Sequence, residues 1–137
     1  MPFEFTDAGR ILAGIALLSI VTIEFGGWFL TRIVRGSVPM TPFQQTFARA
    51  GHAHAGVLVT LGLVGILYAD LAGLAGVVGW LGRAGILAAA ILMPGGFFAS
   101  SAGKERTAPN AAIALVWIGA ACLATGVVGL GVGVLTS

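Results

Sequence analysis

The sequence predicts an all-α fold, a single bundle of four helices that span a membrane, and three observations lead there. Hydrophobic residues make up 58% of the chain and charged ones 9%, with a mean hydropathy of +1.02. Four apolar stretches are each long enough to cross a bilayer, which takes about 20 helical residues. The few charges gather near the ends of those stretches. A soluble domain of 137 residues leaves about a third of its unfolded-chain surface in water, and this chain has too few polar side chains to cover that fraction.

The first helix is expected over residues 9–33. Thr6 and Asp7 precede it as start signals, Arg32, Arg35 and Gly36 close it, and Glu24 is its only interior acid. It lacks the basic leader and the small-residue cleavage site of a secretory signal, so it reads as a retained helix. The second, over 41–68, opens on Thr41, Pro42, Phe43 and Gln44: a capping threonine, a proline at the first helical position and a glutamine placed for a capping box. It carries Arg49, His52 and His54. The third is expected over 81–101, with Arg83 near its start and Pro94, Gly95 and Gly96 inside it. Proline removes a backbone hydrogen bond, so these three residues predict a break or hinge lining a polar cavity. The fourth, over 110–135, follows Thr107, Ala108, Pro109 and Asn110. No polar linker divides the chain, so one domain covers 1–137.

Short cytoplasmic loops carry the excess of Lys and Arg. Arg32, Arg35, Arg49, Lys104 and Arg106 fall on one side and Arg10 and Arg83 on the other, which predicts cytoplasmic first and third loops and both termini outside, in a plasma or inner membrane. Glycines recur every third residue from Gly73 to Gly85, and again at Gly119, Gly126, Gly129, Gly131 and Gly133. Such residues let membrane helices approach closely, within the chain or between copies in a homo-oligomer. The single cysteine, Cys122, reads as a small buried hydrophobe.

Chemistry in such a chain is sought at ionisable groups inside the membrane, because they are costly there. Glu24, Arg49, His52 and His54 are the candidates, all toward the cytoplasmic half. Residues two apart on a helix point about 200° apart, so His52 and His54 cannot grip one metal from a regular helix. His52 shares its stripe with Arg49, Ala55, Gly56 and Val59, and that stripe is the expected partner of Glu24, whose neighbours Gly26 and Gly27 would let the second helix come close.

Three readings of this cluster follow. Glu24 pairs with Arg49 or a histidine and only fixes helix register; or Glu24, His52 and Arg49 form a proton-exchanging site for a small solute or ion, with no cofactor; or Glu24, His52, His54 and Met93 hold a metal ion or haem. The His-x-His pair within residues 51–56 is loosely similar to the histidine-bearing helices of haem–copper oxidase relatives. One glutamate in the first of four short helices is similar to the small multidrug-resistance transporters. Both are likenesses of architecture, and no site residue is carried over from either. The dispersed net charge of +2 gives no basic patch for nucleic acid; the cytoplasmic arginines suit lipid headgroups. Ser100 and Ser101 have no histidine nearby in sequence, which gives a hydrolytic site no support.

Overall fold

The computed structural model describes residues 4–137, so residues 1–3, part of the expected single domain, lie outside the described residues. Four helices, α1 (Asp7–Val34), α2 (Pro42–Leu71), α3 (Gly76–Ser101) and α4 (Ala111–Thr136), are long and apolar enough to cross a membrane by length and composition. Among the described residues there is no strand. The helices α2, α3 and α4 pack on one another, and α1 is added through α2, touching little else.

The helix ends follow their local chemistry. The Thr6 hydroxyl accepts the Gly9 N–H at 3.0 Å to start α1, and Gly36, at φ 72°, turns the chain out of it where an L side chain is disfavoured. The expected capping box is present at α2: Thr41 Oγ1 accepts the Gln44 N–H at 3.2 Å and Gln44 Oε1 accepts the Thr41 N–H at 3.1 Å. The same Gln44 amide donates to the carbonyls of Ser101, at 3.0 Å, and Gly103, at 2.8 Å, so one side chain starts α2 and satisfies the end of α3. Asn110 Oδ1 accepts the Ala112 N–H at 2.8 Å, above a first turn of 3₁₀ helix that leads into α4.

Two expectations about the third helix need correction. It begins at Gly76 rather than near residue 81, because the glycines of 76–85 do not unwind it: Gly79 and Gly82 are buried, and packing outweighs their poor helix propensity. Its irregularity is a π-helical turn at Leu81–Gly85, not a break at Pro94. Helix Ile86–Ser101 runs through Pro94, which is buried.

The glycine pattern resolves into a seam. Gly119, Gly126 and Gly133 are buried on one face of α4 at a seven-residue spacing. A Cβ at Gly126 would lie 3.0 Å from the Ile86 backbone nitrogen, one at Gly119 would lie 2.6 Å from Met93 Cγ, and one at Gly133 would lie 2.7 Å from Leu74 Cδ1. At Gly131 a Cβ would meet nothing within 4 Å. These α4 glycines therefore serve packing within the chain.

At the opposite end from Gln44, Asp70 and Arg83 form an ion pair at 2.5 Å, with side chains 0% and 7% exposed. Asp70 also accepts the Thr6 N–H at 3.0 Å and the Thr6 hydroxyl at 3.1 Å, and Arg83 Nη2 donates to the Leu74 carbonyl at 2.9 Å. The end of α2 is thereby tied to the starts of α1 and α3. Removing one member of a buried pair leaves the other charge uncompensated, at a cost of about 3–5 kcal/mol. Asp70→Ala is expected to lower stability by that order in thermal or denaturant unfolding, whereas Asp7→Ala, which breaks the exposed pair with Arg10, costs under about 1 kcal/mol. In the seam, Gly126→Val is expected to destabilise by about 1–3 kcal/mol, and Gly131→Val far less in the same measurement.

Candidate functional site

Two close approaches fix how α1 lies on α2. Gly9 sits against the Asp70 carboxylate, where any Cβ would collide. Toward the other end, a Cβ on Gly26 would stand 3.3 Å from His52 Nδ1 and one on Gly27 would stand 3.4 Å from His52 Cε1. The two contacts are equally spaced on both helices, so the pairing is a regular antiparallel one. The half-buried His52 imidazole lies over the backbone of α1 at two positions with no side chain to displace it.

Helical geometry then places the charged candidates. The residues of α1 turned toward α2 include Ala16, Ile23 and Gly27, and Glu24 lies about 100° from Ile23 on one flank. Phe29, on the opposite flank, lines a cavity of about 600 Å³ shared with Phe98, Ser101 and Lys104 of the α3 end. The Glu24 flank is therefore the one turned away from α3. On α2 the face beyond His52, again away from α3, carries Arg49, Ala53 and Thr60. Glu24 and Arg49 are both exposed, and among the described residues neither side chain makes a hydrogen bond or ion pair. Phe25 and Trp28 stack beside Glu24 with centroids 5.2 Å apart, and the Arg32 guanidinium stands 5.3 Å over the Trp28 ring. A groove of about 670 Å³ runs from His52 along this face past Ala53, Gly56, Val57, Thr60, Leu61 and Val64.

The structure thus brings Glu24, His52 and Arg49 to one outward face of the α1–α2 pair without joining them. His54 is elsewhere: its Nδ1 lies 2.7 Å from the Ala50 carbonyl and its ring packs on Phe97, with centroids 4.9 Å apart. Met93 is buried against Gly119 in the α3–α4 seam. The four residues considered for a metal or haem are accordingly divided among three places. Among the described residues, no three His, Cys, Asp or Glu side chains gather as they would around a metal ion. Of the residues read as a hinge, Pro94 and Gly96 are buried. A Cβ on Gly96 would lie 2.7 Å from the Val116 backbone nitrogen, whereas Gly95 has open space.

Sequence reading left Asp70 beyond the second helix on the outer side and Arg83 near the start of the third, and missed their pairing. The signal available was that they are the only charged residues between Arg49 and Lys104; an isolated acid and base in an apolar stretch are costly unless they meet. Compared with protein-family models, curated proteins and solved structures, the chain matches none.

The seat of His52 is testable. Gly27→Leu places a side chain where the imidazole lies, and is expected to shift the ring resonances of His52 in a histidine-labelled sample while leaving those of His54 in place. Gly14→Leu, at a position with open space, is expected to move neither.

Proposed function

We propose that the chain is a four-span membrane protein with both termini outside and its first and third loops in the cytoplasm, and that Glu24, His52 and Arg49 support proton-linked movement of a small solute or ion. The membrane part rests on the exterior. Leu18, Ile91, Trp117 and Leu135 are 76%, 73%, 70% and 87% exposed, large apolar side chains that suit lipid and not water.

One observation carries the functional part. Glu24, whose side chain makes no hydrogen bond or ion pair among the described residues, lies about one helical turn in depth from an imidazole that likewise makes none there. Ionisable groups at membrane depth pair, or face a cavity that conducts an ion or substrate. Carboxylate and imidazole are the side chains suited to exchanging protons, and Arg49 adds a fixed positive charge at the inner end of the same face. The groove beside His52 gives a solute room to lie along α2.

Two experiments test these parts separately. Cysteines introduced near Thr6, Gly73 and Ser137 are expected to react with an impermeant reagent from outside, and those near Ser37 and Thr107 are not; the reverse pattern would invert the topology. In reconstituted vesicles, Glu24→Gln keeps the size and hydrogen bonding of the side chain but removes its titration, and is expected to abolish proton-linked flux in a folded protein. His52→Ala is expected to impair flux more than His54→Ala. Flux fully preserved in both Glu24→Gln and His52→Ala would end the transport reading.

A further inference from the structure

The site on the α1–α2 face is half built. It holds Glu24 and Arg49, both exposed and neither with a hydrogen bond or ion pair among the described residues, while Arg32 stands over Trp28 nearer the inner end of α1. The rest of the exterior differs: between the buried Arg83 and Lys104, and along the whole of α4, there is no charged residue at all. Those faces suit lipid as they stand. The Glu24 and Arg49 face does not, because an unpaired charge in hydrocarbon costs several kcal/mol or more.

We propose that a second copy of this chain docks on this face about a twofold axis parallel to the helices, so that Glu24 of each subunit meets the partner subunit's Arg49. The proposal rests on the membrane placement argued above and not on flux. A twofold axis sets a face against itself, so Glu24 and Arg49 can pair across it twice per dimer, while Arg32, held over Trp28 at the inner end of α1, is left to lipid headgroups. Depth allows the match. With Gly27 opposite His52, Glu24 is level with a point about six residues along α2 from Arg49, about 9 Å at 1.5 Å per residue. A long arginine side chain lying along the interface and an extended glutamate together cover that offset.

The surface between the charges is fit for close approach. Ala53 and Gly56 are small, and a Cβ at Gly56 would meet nothing within 4 Å, so a helix of the partner can come near there. Trp28 and Phe25, 51% and 65% exposed, flank Glu24 and would shield the pair from lipid. The placement of α1, which is held to its own chain almost wholly through α2, leaves its Glu24 flank free to take part. Docked in this way, each proton-exchanging group sits in a cleft between subunits rather than against lipid.

Charge exchange decides the matter. In proteoliposomes, single-molecule subunit counting is expected to find dimers of the wild type, and loss of the dimer in Glu24→Arg and in Arg49→Glu, each of which sets like charges opposite one another. The double variant Glu24→Arg/Arg49→Glu is expected to restore it. A monomeric wild type, a dimer that survives both single changes, or a double variant that stays monomeric although folded would overturn the proposal. Should the single variants fail to fold, Ala53→Cys in a Cys122→Ala background is expected to form an intersubunit disulfide while Ile91→Cys does not; equal cross-linking at both, or at neither, would overturn it. Subunit counting involves no flux, so a dimer that moves no protons sinks the transport reading alone, and an active monomer sinks this one alone.

Discussion

The buried pair of Asp70 with Arg83 is the constraint on which the arrangement of the helices rests. A carboxylate and a guanidinium shut away from water are tolerable only when each meets the other and the remaining donors and acceptors are filled. Here they are filled by Thr6 at the start of α1 and by the Leu74 carbonyl in the turn between α2 and α3. Three helix ends must therefore meet at one point. The close fit has a steric side too: Gly9 and Gly79 lie where any Cβ would run into this cluster or the backbone beside it. The π-helical turn carries Arg83 and buries both it and Gly82, consistent with a local widening of the helix that turns neighbouring residues inward together.

From that point the bundle is closed by two different means. Between α3 and α4 the backbones come close at Gly119 and Gly126, and Gly133 receives the side chains of Leu74 and Val78; attraction comes from many small dispersion contacts at short range. At the far end Gln44 and Asn110 donate to the carbonyls of Ser101 and Ala99, groups that the end of α3 would otherwise leave open, and Thr41 donates to the Arg106 carbonyl in the loop that follows. The helix α1 shares neither device. It is fixed to α2 by the Asp70 cluster at one end and by the seat of His52 on Gly26 and Gly27 toward the other.

That uneven packing bears on the functional reading. Where helices interlock through glycine there is no room for a solute and no ionisable group. Where α1 meets α2 the contact is looser, one flank is open, and Glu24, Arg49 and His52 collect there, whereas His54 packs on Phe97. A surface of that kind is suited to binding and to change, because little packing must be broken to alter it.

The sequence by itself determined the helices and most of their ends. Apolar length against a bilayer-sized requirement, the capping box at Thr41 and Gln44 and the cap at Asn110 are local matters, set by residues within a turn of one another. It also marked Gly26 and Gly27 as the level at which the second helix can come close, since the smallest side chains leave room there; that His52 takes that room came from the structure. Only the tertiary structure decided the rest. It showed that residues 76–80 are helical, with Gly79 buried against the Leu74 carbonyl and the Arg83 side chain; that Pro94 is carried within a helix; and that Asp70, Thr6 and Arg83 meet. It also showed that Glu24 and Arg49 share a face yet stay unpaired. Each of these depends on which helix lies beside which and at what depth, and neighbours distant in sequence leave no periodic trace along the chain.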